Sequence, residues 1–497
     1  MSGKAGQTEK ATKTSAADTA PHLTEEQRRL AVRREEMETI TEKEMARQVF
    51  NLAWPATLEA VLQTTIRMVT SSLLGHIPGY SSLAISATGL ADRITRLSWC
   101  VFAAVGTGAT VMVARNIGAG DQKRANRFAA HALILGAALT IIITALLLAF
   151  PQQLISGLYD RDRKMDAELV IMAIDYLRLT AWSVPFMAIN QVISAVMRGA
   201  GNTKVTLITN TTANVVNAIL GYALIYGNFG APVMGVTGAA VATVISQGVG
   251  AAIALFIFFK IQNNLQVSFR GFRLRWEQVR AIFGIGVPHA SEQLLMQFGQ
   301  IALAGLIGSM GATQLAAHTQ GIIAESLSYM PAMGFAIAST TLVGMSIGVG
   351  SEKLVRRYVN VLVKWDLVIT GVTASVLIFA PRQVFSLLSN DSEVIALGAV
   401  YLLAMGFCQF PQQLTGVFSG ALRGAGDSRA TLLNSLIGLW IVRVPLSFVF
   451  ANAFEWGIYG VWAAMSLDLV TRFVLTIVRY KKGKWKQAAF NISGAAL

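Results

Sequence analysis

Residues 205–259 run for 55 positions without one Asp, Glu, Lys, Arg or His. The helices of a soluble protein carry a polar face and need no such stretch, whereas a chain threading a hydrocarbon layer does. Residues 132–150 are likewise free of charge. Composition agrees, with 54% of residues apolar and 14% charged, against roughly a quarter charged in ordinary soluble proteins. In lipid only helices and closed barrels satisfy the backbone, and these runs are too long and continuous for barrel strands. The expectation is an all-α polytopic membrane protein.

Residues 49–480 divide into twelve segments near the ~20 residues that a bilayer requires. They are 49–74, 82–113, 128–150, 168–196, 205–227, 235–259, 281–306, 314–348, 360–380, 393–420, 430–452 and 457–478. Flanking them are a polar tail (1–47), helical in its charge-laced second half and lacking a secretory signal, a linker (261–280) and a basic tail (481–497). Two six-helix lobes, 48–260 and 281–480, follow from this division.

The net charge of +14 could suggest a nucleic-acid binder. The first 47 residues are neutral, however, and the excess is scattered between apolar stretches, so no water-exposed basic face is expected. With the N-terminus placed inside, 22 Lys/Arg fall on inner connections and the C-terminal tail, including Arg115, Arg198, Lys204, Arg423 and Arg429. Only Arg161, Arg163, Lys164 and Arg382 fall outside. That asymmetry predicts two cytoplasmic termini. Cys100 and Cys408 both lie in apolar stretches, which argues against disulfide scaffolding and thiolate metal sites.

The chain is duplicated. Pro55 and Glu59 match Pro288 and Glu292, and Gly118-Ala119-Gly120-Asp121 matches Gly348-Val349-Gly350-Ser351. Pro151 matches Pro381, and Tyr176-Leu177 matches Tyr401-Leu402. Arg198-Gly-Ala-Gly-Asn-Thr-Lys204 matches Arg423-Gly-Ala-Gly-Asp-Ser-Arg429. Six spans per repeat bring both repeats into the bilayer from the same side, related by an axis along the membrane normal with a cavity between them. Such an architecture suits alternating access, and no filter motif of a channel stands out.

Ionisable residues within spans face the interior, pair, or line a wet cavity. Glu59, Gln63, Arg67 and Thr70 share one face of the first span, and Asp92 and Arg96, with Arg93 beside them, lie in the second. Asp92 and Arg96 are either a self-neutralising pair or part of a substrate site. Glu292 is the one acid of the seventh span, with no charged neighbour in sequence, so an apolar setting suited to reversible proton uptake or sodium binding is expected, with a structural helix-cap role or contact with a cationic substrate as alternatives. Glu59 is its repeat mate. His318 and Glu325 share a face of the eighth span, as a proton relay or as a satisfied structural pair. Asp468 and Arg472 are spaced for a structural ion pair, and Arg443 precedes the kink at Pro445. No metal cluster, nucleotide loop or nucleophile arrangement stands out, so neither an enzyme nor a cofactor is expected.

Leu52-Ala53-Trp54-Pro55, Leu74-Gly75-His76, Val113 to Asp121, Ala316-Ala317-His318 and Gln412 to Gly426 together resemble the multidrug and toxic compound extrusion (MATE) transporters over residues 49–485. The resemblance implies a twelve-helix, V-shaped exporter in a bacterial inner membrane. It would exchange H+ or Na+ for bulky amphipathic small molecules. Many members carry an acid where Thr70 stands, and the NorM-like branch carries one where Gln412 stands. That branch also has its seventh-helix glutamate near Met296, a turn beyond Glu292. Ion coupling is therefore expected at Glu292, Glu59, His318 and Glu325. The expected substrate cavity comprises Gln63, Arg67, Thr70, Asp92, Arg93, Arg96, Met296, Gln300 and Gln412. A monomer acting on a small molecule within the bilayer is the expected unit. The arginines of the first lobe keep open an alternative, a flippase for an anionic lipid-linked intermediate.

Overall fold

The computed structural model describes residues 24–75, 81–157, 167–261, 265–267, 269 and 272–494. The described residues are helical with short connections. A capping box at Thr24 and Gln27 starts α1 (Glu25–Glu38). The first repeat comprises α2 (Glu42–Gly75), α3 (Ser81–Ala119), α4 (Gln122–Ala149), short α5 (Pro151–Gly157), α6 (Ala167–Ala181), α7 (Val184–Gly199), α8 (Lys204–Tyr226) and α9 (Gly235–Phe256). The second comprises α10 (Trp276–Gly308), α11 (Ala312–Gly348), α12 (Glu352–Phe379), short α13 (Pro381–Ser386), α14 (Ser392–Gly424), α15 (Ser428–Leu436), α16 (Val444–Phe448) and α17 (Gly457–Lys481). A terminal helix, α18 (Trp485–Gly494), follows.

Among the described residues, eight helical stretches are long and apolar enough to cross a membrane, or nine if α6 and α7 count as one span. That pair is bent by 50°. Pro185 has no N–H to continue the ladder, so residues 168–196 form two helices where the sequence reading had one. The expected span 430–452 also departs from a plain helix. Wide turns at Ile437–Arg443 and Val449–Ala453 flank α16, with Pro445 just after the first. The outer loop with Arg161, Arg163 and Lys164 lies outside the described residues.

The two repeats share local detail. Asp121 and Ser351 cap α4 and α12 alike, each accepting from the backbone N–H three residues on. The same helices end at Phe150 (φ −124°, ψ 37°) and Ala380 (φ −128°, ψ 41°). In the Arg-Gly-Ala-Gly turns, Gly201 and Gly426 take φ of +82° and +79°, which a side chain resists. His131 on α4 accepts from the Arg275 N–H at 3.0 Å, pinning the described end of the inter-repeat connection to the first lobe.

We term inner the end of the bundle that carries these turns. The lobes meet there. On α3, a methyl at Gly108 would fall 2.1 Å from the Ile282 carbonyl oxygen of α10, and one at Gly286 would fall 1.8 Å from that of Ala104. Thr57 on α2 donates to the Pro331 carbonyl of α11, and Thr341 of α11 to that of Arg198. Towards the outer ends of α3 and α10, Gly89 and Gly305 have no described heavy atom within 4 Å of a Cβ position. Small residues thus bring the backbones of the two lobes together near the inner end.

Candidate functional site in the second lobe

A cavity of about 240 Å³ opens among α10, α11, α14, the wide turn before α16, and α17. Its lining includes Met296, Gln300, Glu325, Gln412, Arg443 and Arg472. Glu325 is 2% exposed. The Tyr401 hydroxyl donates to its Oε2 at 2.5 Å, and Gln409 Nε2 lies 3.5 Å from its Oε1. Gln413 in turn donates to Gln409 at 2.9 Å. These donors stand at i, i+8 and i+12 of α14, which places them on one face above Glu325.

Opposite stands a buried cationic cluster. Arg443 and Asp468 are 2% and 0% exposed and lie 3.8 Å apart, while Arg472 meets Asp468 at 2.6 Å. Pro445 lies two residues beyond Arg443, and the wide turn Ile437–Arg443 is where the helix turns that side chain inward. Two arginines against one aspartate leave a net +1, which an ionised Glu325 would bring to zero. In a site shielded from water a change of one unit is large.

Sequence reasoning grouped Met296, Gln300 and Gln412 as cavity residues, and the structure brings them together with Glu325. His318 is near rather than in the cavity, accepting from Trp462 Nε1 at 3.3 Å with its ring against Tyr401. Tyr401, Gln409, Tyr329 and Thr415 were not singled out as site residues. The repeat match of Tyr176 and Tyr401 was the available signal for the first, and the others had none.

Glu292 lies elsewhere, and its setting corrects the expectation of apolar surroundings. Arg423 stands 3.6 Å away and His289 3.5 Å away, and Thr431 and Ser435 donate to its two oxygens at 3.1 and 2.8 Å. Glu59 repeats the arrangement. Asn210 on α8 donates to it at 2.5 Å, Gln63 lies at 3.4 Å, and the charge of Arg198 acts on it without a closed ion pair among the described residues. Each lobe therefore ties its first helix to its fourth and fifth near the inner end through a carboxylate and the arginine of the Arg-Gly-Ala-Gly turn.

Among the described residues, the first lobe has no counterpart to the charged cluster. Asn217 donates to Thr243 and Ser246 at 3.3 and 3.2 Å, and Ser246 occupies the repeat position of Asp468. Asp92, Arg93 and Arg96 are exposed on α3, and Asp92 and Arg96 do not close an ion pair among the described residues. Arg67 and Thr70 belong to α2, and their side chains lie outside the described residues. Also among the described residues, no group of three His, Cys, Asp or Glu could hold a metal ion, and both cysteines are free and buried.

A family model, MatE, matches the chain twice, over residues 55–223 and 288–449, beginning at the repeat-related Pro55 and Pro288. The chain belongs to the MATE family. The Probable multidrug resistance protein NorM of Thermotoga maritima is 33% identical over 448 residues, covering 90% of this chain and 94% of that one. The Uncharacterized transporter YisQ of Bacillus subtilis is 26% identical over 447 residues, covering 88% and 95%. Among solved structures, MATE in the bent conformation has a TM-score of 0.80 at 21% identity, covering 92% of this chain and 99% of that one. The outward-facing conformation of a multidrug resistance MATE family transporter gives 0.80 at 22%, covering 91% and 97%. This MATE chain is accordingly a two-lobed membrane transport protein and not an enzyme.

Proposed function

We propose that the chain is a secondary antiporter that exports amphipathic organic compounds in exchange for protons, alternating between inward- and outward-open states. The carrying observation is Glu325, a buried carboxyl in the second-lobe cavity facing Arg443. With Glu325 ionised the cavity sums to neutral, and with Glu325 protonated it returns to +1. Proton uptake then disfavours a cationic cargo and loss of the proton readmits it, which is the differential binding that antiport requires. Protons are favoured because Glu325 is the one carboxyl among the described lining residues, and a single bound proton there changes the charge of the cavity by one unit.

We further propose twelve spans. Besides the stretches noted above, α2, α8 and α10 cross, their polar residues (Glu59, Asn210, Glu292) turned to partners inside each lobe. The boundaries 48–260 and 281–480 describe the lobes. The basic inner connections support two cytoplasmic termini in a bacterial inner membrane, and a cavity lined by residues of one chain is in keeping with a monomer.

The test is transport in proteoliposomes with proton and sodium gradients imposed separately. Glu325→Gln should lose proton-driven transport at least tenfold, whereas Glu292→Gln should keep most of it. Retention by Glu325→Gln would overturn the assignment. Arg93→Ala and Arg96→Ala in the same assay separate the reading of a lipid-linked anion, which would require them.

A further inference from the structure

Asp366 lies on α12, outside the cavity, and is 1% exposed. Neither of its carboxylate oxygens has a hydrogen-bond partner, and the same holds for the Thr370 hydroxyl one turn on, also 1% exposed. A buried ionised carboxylate with neither hydrogen bonds nor a counter-ion is among the costliest arrangements a fold can contain.

The duplication supplies an internal control. With the constant offset that relates Gly118 to Gly348 and Pro151 to Pro381, Asp366 corresponds to Gly136 and Thr370 to Thr140. In the first lobe Gly136 packs directly on Val192, whose side chain would lie 2.8 Å from an added methyl, and Thr140 donates to the Gly136 carbonyl at 2.8 Å. The fold is built there with no acid at all. A carboxyl at this position in the second lobe is therefore not a requirement of the helix packing.

The helix that carries Asp366 packs where α2 of the first lobe meets the second. One apolar cluster joins Leu52 and Ala53 of α2, Phe335 and Ala338 of α11, Leu362 of α12 and Val417 of α14. It packs α2 of the first lobe against α11, α12 and α14 of the second. The charged and titratable groups on the helices packed against α12 are engaged elsewhere. On α11, Glu325 is bound to Tyr401 of α14, and Tyr329 lines the cavity. On α14, Arg423 holds Glu292 at the inner end, and Cys408 lies towards the outer half. On α2, Glu42 pairs with Lys364, and Glu59 is held by Asn210. On α1, Glu38 is bound to Ser351, and on α13 Arg382 lies near the outer end. None of these groups forms a hydrogen bond or ion pair with Asp366.

We propose that Asp366 is a second proton-binding site of the second lobe, occupied while the inner halves of the lobes are closed. When α2 withdraws from α11 and α12, water reaches the carboxyl, which gives its proton to that water and remains as a hydrated carboxylate. The inference rests on the alternating-access reading, but on a different group from Glu325.

Infrared difference spectroscopy of the full chain in liposomes tests it, reading the C=O stretch of a protonated carboxyl in apolar surroundings. At neutral pH the wild type and Glu325→Gln should both show that band, and Asp366→Asn should lack it. Asp366→Val, an apolar replacement of similar size, must lack it too and guards against a variant that folds poorly. A band undiminished in both Asp366 variants would overturn the proposal. A shift of the band on adding sodium chloride at fixed pH would overturn it in favour of a sodium site. In transport, Asp366→Asn should carry one proton fewer per substrate, while Glu325→Gln loses proton-driven transport at least tenfold, so the two carboxyls fail separately.

Discussion

Gly118 and Gly348 each rest on the backbone carbonyl of the other's repeat neighbour. A methyl at Gly118 would fall 2.1 Å from the Met345 oxygen, and one at Gly348 would fall 1.9 Å from the Arg115 oxygen. Arg115 and Met345 occupy equivalent positions in the two repeats, so this is a self-complementary contact of the kind formed across a two-fold axis, here within one chain. It sits at the inner ends of α3 and α11 and exists only while the lobes are closed there.

Gly118→Ala and Gly348→Ala should therefore destabilise the inner-closed state by about 1–3 kcal/mol, the usual range for overpacking. That is roughly a 5- to 150-fold shift towards the inward-open state. Reactivity of a cysteine placed at Ala53 towards a membrane-impermeant reagent added from the inner side should rise accordingly. Unchanged reactivity would mean the seam is not the gate.

The N-terminal helix bridges both lobes at this same end. Arg33 donates to the Ile117 carbonyl at 3.0 Å, Ser351 donates to Glu38 at 2.5 Å, and Arg357 reaches the Glu38 and Ile40 carbonyls at 2.6 Å. Removing residues 1–40 should favour the inward-open state in the same labelling assay. The Ser351 hydroxyl, with Arg34 and Lys353, holds the Glu38 carboxyl below the ordinary glutamate value. A depressed acid contributes stability above its unfolded value and loses it as the pH falls. The bridge should thus persist at neutral pH and weaken only as the pH drops below about 4.3. Glu38→Gln should abolish this acid dependence.

Asp468→Asn leaves Arg443 and Arg472 buried without their counter-ion. Breaking a buried pair from one side costs about 3–5 kcal/mol, which a thermal melt in detergent should register as a large drop. Adding Arg443→Met should restore part of the loss. Additive damage in the double variant would show that the two residues do not act as a pair.

Gly201 and Gly426 stand in the left-handed region. Replacement of either by Ala should cost roughly 1–2 kcal/mol, seen as a lower melting temperature with substrate preference unaltered.

The sequence alone determined the membrane class, the duplication and the positions of the Arg-Gly-Ala-Gly turns. Each is written in a local pattern: uncharged runs, a repeated order of residues, or glycine where a turn needs positive φ. Spacing also brought out the Asp468–Arg472 pair, because i,i+4 neighbours on a helix meet without help from elsewhere. The same spacing at Asp92 and Arg96 gave two exposed side chains that close no ion pair among the described residues.

What only the tertiary structure decided is which charges meet across helices. Glu292 looked solitary because its arginine is 131 positions along the chain, and Glu325 finds Tyr401 76 residues away. The break before α7 and the wide turns around α16 also depend on packing, since a proline marks where a helix is weakened but not which way it bends. Asp366 is the clearest case. The sequence shows an acid within an apolar helix, and only the tertiary packing shows that both its carboxylate oxygens are buried without a hydrogen-bond partner.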